Sequence, residues 1–199
     1  MQDEILEKAA EMFLNYGFKS VTMDDIANEM GISKKTIYQH FSNKNNLVEA
    51  TTLRMFHLIS EGIDLICENN INAVEELFEI KNFVLQYLKD EKTSPMFQLQ
   101  KYFPKTYKTL HEKEYCKMQE CVNSNLEKGI REGLYRSDIN IDFVSRIYYA
   151  NVHLIKEKNN FEDAGFTIRQ LEEFYLEYHV RAICTPKGLS VLENILKST

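Results

Sequence analysis

Two polar side chains four residues apart, Lys35 and Gln39, carry the most specific chemistry in this chain. In a helix that begins near Ser33, at about 100° per residue, both point almost directly away from the apolar Ile37 and Phe41. Ammonium and amide groups can hydrogen-bond to base edges and to phosphate oxygens. A short helix with this outward face is therefore suited to contacting a nucleic acid.

The neighbouring residues extend the same outward face. Thr36 and Tyr38 flank it on either side, while Lys34 and His40 lie nearer the boundary with the core. The segment 30–46 contains three lysines and no acidic residue. An acid-free, aromatic surface of this kind favours contact with a polyanion.

The elements that position this face can be predicted from capping residues. Thr22 can cap a preceding helix, with Asp25 three residues on completing a capping box. Gly31 ends that helix, and Ser33 caps the next. A further helix begins at Lys44, which is placed to reach a phosphate. Two capped helices around a glycine turn predict a helix-turn-helix, whose second helix enters the major groove. Taken alone, lysine and glutamine on an amphipathic helix would indicate only a solvated surface.

The segment from Gly17 to Lys44, GFKSVTMDDIANEMGISKKTIYQHFSNK, resembles the DNA-binding domain of the TetR (tetracycline repressor-like) transcription regulators. The resemblance covers about the first quarter of the chain. Asp24 stands where some members carry a basic residue, so Asp24 is not expected to touch DNA. By resemblance, the phosphate backbone is held by Thr22, Thr36, Tyr38, His40 and Lys44. The residues implied to face bases are Lys34, Lys35 and Gln39.

The rest of the chain also reads as helical, because only seven glycines and three prolines interrupt its 199 residues. Besides the helix between Thr22 and Gly31, the pattern predicts helical segments at 2–16, 33–41, 44–69, 74–89, 96–102, 104–131, 141–156, 167–184 and 189–196. Pro186 is expected to end the segment before it. The predicted fold is all-α, with a three-helix DNA-binding domain at 1–46 and, by resemblance, a helical effector-binding and dimerisation domain at 47–199.

The formal net charge of −6 restricts how such a protein could hold DNA. Even residues 1–50 contain five lysines against eight acids, so the positive charge is confined to the predicted second helix and its exit. Affinity for arbitrary DNA should then be weak and depend on few phosphate contacts. This predicts that two copies of the DNA-binding domain, which we call the reading head, act together on one duplex.

The four cysteines show neither a C-x-x-C pair nor the histidine spacing of a zinc site, so no metal or cofactor is predicted. They are expected to be buried, reduced thiols in a cytosolic protein, with disulfide sensing by Cys116 and Cys121 as the alternative. Met1 leads directly into a charged helix without a signal peptide, and no apolar run approaches the ~20 residues of a membrane span. A cytoplasmic location without membrane attachment is predicted.

Two late segments carry large apolar stripes, which could be intrachain core or a homodimer interface. The resemblance and the weakly basic head favour a homodimer. The stripes consist of Val144, Ile147, Tyr148, Asn151 and Ile155, and of Leu171, Phe174, Tyr175, Tyr178 and Ala182.

The resemblance also implies a small-molecule effector, whose binding moves the reading heads apart. Stripes of Met and aromatic residues are more often core than pocket, and Asn151 could equally be a satisfied core group or an interface hydrogen bond. The candidate effector-binding residues are Phe83, Tyr87, Phe103, Tyr107, Tyr115, Met118, Tyr148 and Asn151.

The function expected from these features is regulation of transcription. The chain would be a sequence-specific repressor of double-stranded operator DNA, released from a palindromic operator by its effector. A small helical sensor or enzyme without a DNA-binding role is the alternative. The sequence contains no phosphate loop, nucleophile elbow, H-E-x-x-H or paired-carboxylate motif, so no catalytic residue is predicted.

Overall fold

A computed structural model describes residues 1–87, 95–156, 161 and 165–198, and these residues form helices joined by short links. The only extended pairing among them is one antiparallel bridge between Tyr135 and Cys184. The predicted all-α fold is confirmed. The helices are α1 (Gln2–Tyr16), α2 (Met23–Glu29), α3 (Lys34–His40), α4 (Lys44–Cys67), α5 (Ala73–Leu85), α6 (Pro95–Tyr102), α7 (Pro104–Arg131), α8 (Ile141–Lys156), α9 (Ile168–Ile183) and α10 (Pro186–Ser198).

The helix ends in the N-terminal region follow the predicted caps. Gly17 ends α1 with a φ of 84°, a backbone conformation that glycine adopts without steric cost. Thr22 and Asp25 form the capping box of α2, and the Ser33 hydroxyl accepts the Thr36 amide at the start of α3. The predicted segments 2–16, 104–131 and 141–156 coincide with α1, α7 and α8. Part of the predicted 74–89 helix lies outside the described residues.

The helix α9 ends before Pro186 as predicted, but the closing helix begins at Pro186 itself and not at Leu189. This proline is the first residue of α10, where its missing N–H is not needed. Thr185 acts as the cap: its hydroxyl accepts the Gly188 amide at 3.2 Å, and its carbonyl accepts the Leu189 amide at 2.9 Å. The Thr185 amide also donates to the Leu134 carbonyl. The α9–α10 link that contains the cap is therefore bonded to the α7–α8 link, next to the Tyr135–Cys184 bridge.

The chain divides into two compact units. Unit 1 contains Met1–Glu61 and the described part of Leu88–Glu114. Its apolar core draws on α1 to α4 and on α6, with α7 adding Leu110. By packing, therefore, the predicted 1–46 domain shares its unit with residues 47–61 and 95–114. The 1–46 and 47–199 division stays a prediction about function. The most deeply buried core side chains include Ile5, Phe13, Ile26, Ile37, Leu47 and Leu99.

Unit 2 contains Gly62–Tyr87 and the described part of Tyr115–Thr199. In this unit α8 packs on α9, and α10 packs on α5 and α9. A buried polar network joins the first turn of α5 to α7: Asn125 donates to the Ala73 carbonyl at 2.9 Å and to Glu76 at 2.7 Å. The Tyr135 hydroxyl also reaches the Ala73 carbonyl, at 3.0 Å. Lys128 pairs with the buried Glu76 carboxylate, so that carboxylate is compensated.

Candidate nucleic-acid interface

The third helix presents the face that the sequence predicted. Ile37 is fully buried and Phe41 nearly so, because both pack into the core of unit 1. Lys35 and Gln39 point outward and are exposed. Neither side chain makes a hydrogen bond or ion pair with any residue in the described part of the chain. Their donors and acceptors are therefore available to an external partner.

The start of α2 holds Thr22 in a defined hydrogen-bonding state. The Thr22 amide and hydroxyl both donate to Asp25 Oδ2, at 2.8 Å each, while the hydroxyl oxygen accepts the Asp25 amide at 3.1 Å. These bonds lower the pKa of the Asp25 carboxyl, with the Thr22 amide as the main cause. Because its proton is committed to Asp25, the Thr22 hydroxyl would have to rotate to donate to a phosphate.

Thr36 lies at the first turn of α3 beside the Ser33 cap. The two hydroxyl oxygens are 2.8 Å apart, and the Ser33 oxygen also accepts the Thr36 amide at 3.1 Å. If Ser33 donates its proton to Thr36, the Thr36 proton remains free for an external acceptor. The half-buried Thr36 is thus oriented by the cap that starts the helix.

Lys34 is paired within the protein, which the sequence did not predict. Its ammonium lies 2.7 Å from Asp24 Oδ1 and 2.8 Å from Oδ2, so α2 and α3 are joined by an exposed ion pair. The hydrogen bond that Lys34 donates to Asp24 raises the pKa of Lys34. The same ammonium is 5.8 Å from the centre of the Tyr38 ring. Asp24, which was not expected to touch DNA, would therefore compete with DNA for Lys34 if Lys34 makes the predicted contact.

Lys44 also has a partner within the protein, in this case a backbone carbonyl. Its ammonium donates to the Lys19 carbonyl at 3.0 Å and lies 5.8 Å from the centre of the Phe103 ring. Partial burial lowers the pKa of Lys44. Two of its three donors are left for a phosphate, and the tie to the α1–α2 link fixes where they point. The separation of 25 positions between the partners explains why sequence spacing did not predict this contact.

The remaining candidates, Tyr38 and His40, are both exposed on α3, and the Tyr38 side chain is 43% accessible. All the predicted DNA contacts thus lie in unit 1, at the starts of α2 and α4 and along α3. Their assignment to bases or phosphates stays a prediction.

Four of the predicted effector residues pack against the apolar cores. Phe103 and Tyr107 pack against the core of unit 1, whereas Met118 and Tyr148 pack against the core of unit 2. Burial raises the pKa of Tyr148 well above its ordinary value. These contacts are those of core residues, the role that was the alternative to a pocket.

The other four lie in unit 2. The Phe83 and Tyr87 rings meet edge-on, with centroids 5.3 Å apart. The Tyr115 hydroxyl accepts a hydrogen bond from Arg146 at 2.9 Å. Asn151 donates to the backbone carbonyl one turn earlier, at 2.8 Å. Because the eight residues divide between the two units, effector binding by this set stays a prediction.

The predicted apolar stripes of α8 and α9 each split into a buried and an exposed part. Ile155 and Leu171 are buried, whereas Ile147 is exposed. On α9, Phe174 is 54% accessible and Tyr178 is 72% accessible. Large apolar side chains at helical spacing on two helices that pack together form an unusual solvent-facing surface.

All four cysteines are unpaired, but their burial differs from the prediction. Only Cys184 is buried; Cys116 is exposed, and Cys67 and Cys121 are half-buried. Burial raises the pKa of Cys121 to about 12, which disfavours its reactive thiolate. Cys116 and Cys121 are five residues apart on one helix and therefore point about 140° away from each other.

The described residues contain neither a metal-binding cluster nor a membrane-spanning helix. Their His, Cys, Asp and Glu side chains form no cluster that could hold a metal ion. Within the same residues, every helix is too short or too polar to span a membrane.

Comparison with known proteins gives the same interpretation of the N-terminal region. The sequence model described as "Bacterial regulatory proteins, tetR family" matches residues 5–51, which include α2, α3 and the start of α4. The HTH-type transcriptional repressor KstR2 of Mycolicibacterium smegmatis is 27% identical over 155 residues, which cover 73% of this chain and 72% of KstR2.

Solved structures extend the likeness to the whole fold. A putative transcriptional regulator from Saccharomonospora viridis, in complex with choline, has a TM-score of 0.75 at 19% identity, covering 92% of this chain and 97% of that one. The transcriptional regulator FadR from Bacillus subtilis, in complex with stearoyl-CoA, has a TM-score of 0.70 at 17% identity, covering 92% and 100%. At these identities the likeness establishes the fold.

Proposed function

Since the chain belongs to the tetR family of bacterial regulatory proteins, which are regulators and not enzymes, we propose that it represses transcription by occupying a palindromic operator as a homodimer. The relative KstR2 is named a transcriptional repressor. In this proposal residues 1–46 read the operator, residues 47–199 bind an effector and the second copy, and the protein acts in the cytoplasm.

The observation that carries the proposal is the orientation of α3. Its apolar residues are buried in unit 1, so Lys35 and Gln39 face outward with unsatisfied hydrogen-bonding groups. A glutamine can pair with adenine through two hydrogen bonds, and a lysine can reach the acceptors of guanine. The phosphate contacts would come from Thr36, Tyr38, His40 and Lys44, with Thr22 at the start of α2.

The exposed apolar residues of α8 and α9 support a homodimer. A two-fold dimer brings the same surface of each copy together, so one self-complementary patch covers itself. Ile147, Phe174 and Tyr178 would then leave water. A dimer also doubles the number of phosphate contacts available to a chain whose net charge is −6.

The effector is proposed to be a small molecule that binds the two conformations of the repressor with different affinity. Two proteins of the same fold were solved with choline and with stearoyl-CoA, so this fold accommodates ligands of very different size. For this chain the aromatic residues of the predicted set suit a mostly apolar ligand with a few polar groups.

The direct test is selection of bound sequences from a random duplex pool, with the purified full-length protein. The proposal predicts enrichment of a palindrome whose half-sites are about one helical turn apart, ~34–36 Å. A Lys35→Ala, Gln39→Ala double variant should lose this enrichment while keeping its fold by circular dichroism. A pool that shows no preferred sequence with the wild-type protein would refute the proposal.

A further inference from the structure

A second basic surface lies in unit 1, outside the helix-turn-helix. Residues 95–111, which span α6 and the start of α7, contain three lysines and no acidic residue, in a chain with a net charge of −6. Lys108 pairs with Glu112 at 3.9 Å, so part of its charge is offset. Lys101 and Lys105 are exposed and form no ion pair with any described residue.

Side-chain contacts connect this surface to the α1–α2 link. The Lys19 ammonium is 4.9 Å from the centre of the Tyr102 ring, and the Lys101 ammonium is 5.6 Å from the centre of the same ring. The Lys19 amide donates to Gln98 Oε1 at 3.1 Å, which fixes the link against α6. The ammonium groups of Lys101 and Lys19 therefore both contact the Tyr102 ring.

The same link leads to the predicted DNA contacts. The Lys19 carbonyl accepts the Lys44 ammonium at 3.0 Å, and Thr22 follows three residues later at the start of α2. The basic groups thus form a continuous series from the predicted phosphate contacts, through Lys19, to Lys101. Lys105 follows four residues after Lys101, in the first turn of α7, and we name Lys19, Lys101 and Lys105 the accessory patch.

The chemistry of the accessory patch favours a polyanion. The Lys19 and Lys101 ammonium groups are both exposed, and neither forms an ion pair with a described acid. Both lie near the Tyr102 ring, where cation–π attraction stabilises them. A phosphate would supply the missing anionic partner, and phosphates of the duplex continue past the bases that α3 reads.

We propose that the accessory patch binds phosphates of the operator duplex flanking the base pairs read by α3. This inference rests on the proposed function, because it assumes that α3 sits on DNA. Each phosphate neutralised adds about 0.9 to the slope of log affinity against log salt. Two new contacts in each half of a dimer would steepen that slope by up to ~3.6.

The test uses a Lys101→Gln, Lys105→Gln variant of the full chain on two duplexes. One duplex carries only the selected operator, and the other adds about one helical turn, ~10 bp, at each end. On the long duplex the variant should bind more weakly, with a shallower salt slope and an unchanged sequence preference. On the short duplex the variant and the wild type should bind alike. Lys197→Gln, which removes an exposed lysine from α10, is the matched control and should behave as wild type on both.

Three outcomes overturn the inference. Equal affinities and salt slopes for the variant and the wild type on the long duplex would show that the patch makes no phosphate contact. An equal loss on both duplexes would assign the two lysines to the reading head itself. A loss for the Lys197→Gln control about half as large as that of the variant, for one charge removed against two, would indicate a general charge effect. The failure of the proposed function is distinguishable, because wild-type protein would then select no operator at all.

Discussion

The residues predicted to contact DNA differ in what they already contact within the protein. Lys35 and Gln39 have no partner in the described part of the chain, whereas Lys44 is tied to the Lys19 carbonyl. A free side chain can adapt to a base edge, and a tied one can only approach a phosphate at a fixed place. For Lys35, Gln39 and Lys44 this difference agrees with the predicted division between base and phosphate contacts, whereas Lys34, which is predicted to face a base, is paired with Asp24.

Gln39→Ala should therefore relax sequence preference, by about 1–3 kcal/mol at the base pair that it reads. Lys44→Gln should instead weaken binding to every sequence and make the salt slope shallower by about 0.9 per protomer. Binding of each variant to the operator and to single-base-pair variants of it, at several salt concentrations, distinguishes the two. The assignment is wrong if Lys44→Gln shifts the preferred sequence while Gln39→Ala does not.

A second residue-scale prediction concerns the ion pair between Asp24 and Lys34. Asp24→Asn would remove a negative charge from the DNA-facing side and free the Lys34 ammonium. Affinity for all duplexes should rise, and the salt slope should steepen by about 0.9 per protomer if Lys34 then takes a phosphate. Because the gain is independent of sequence, the ratio of operator to random-DNA affinity should stay unchanged.

Glu29→Gln is the matched control for this charge change. Glu29 is the exposed last residue of α2. Its carboxylate lies 3.9 Å from the Lys8 ammonium of α1, so it is not paired with a lysine of α3. If both variants raise affinity equally, the effect is one of net charge, and the pairing with Lys34 has no separate role.

At the scale of elements, local signals predicted well and long-range contacts were missed. Caps depend on residues that are neighbours in sequence. The ends of α1 to α3 could therefore be located from the local sequence alone, as the Thr22 capping box, the Ser33 cap and Gly17 show. The burial of Ile37 opposite Lys35 followed from helical periodicity. These features determine which side of α3 faces solvent and forms the candidate interface.

Contacts between distant segments could not be derived in this way. The pairing of Lys34 with Asp24 joins two helices, and the Asn125 bond to the Ala73 carbonyl spans 52 residues. Pro186 illustrates a local ambiguity, since a proline fits both the end of one helix and the first turn of the next. Only the Thr185 cap decides between these, and its neighbours come from the α7–α8 link.

The element-scale prediction concerns the exposed face of α8 and α9. An Ile147→Glu, Tyr178→Glu double variant should place four charges in the proposed two-fold interface and convert the dimer into a monomer. Sedimentation at micromolar concentration measures the change, and operator affinity should fall because each reading head then binds alone.

Leu65→Glu offers a control, because Leu65 is similarly exposed but lies on α4. It should leave the sedimentation of the protein unchanged. A wild-type protein that sediments as a monomer would contradict the dimer directly. Dissociation by Leu65→Glu alone would place the interface elsewhere.

The whole molecule consists of two units with separate cores, so its stability need not be a single quantity. Unit 2 contains a histidine, His179, that the proposed function does not use. Its ring is 6% accessible and packs against Tyr148 and Tyr175, with centroids 4.8 and 5.9 Å away. Burial lowers the pKa of His179 to about 4, against 6.5 for an exposed histidine.

This shift predicts a loss of stability in weak acid. Between pH 6.5 and 4 the unfolded chain binds a proton at His179 that the folded chain does not, so the free energy of unfolding falls as the pH falls. The full loss is at most about 3 kcal/mol, reached near pH 4, and it is absent above pH 6.5.

His179→Phe keeps an aromatic ring against the two tyrosines and cannot titrate. Its urea midpoint should therefore decline less than that of the wild type between pH 7 and 4.5. His57→Gln removes an exposed histidine of unit 1 and should retain the wild-type pH dependence. Parallel curves for wild type and His179→Phe would show that His179 does not control acid stability.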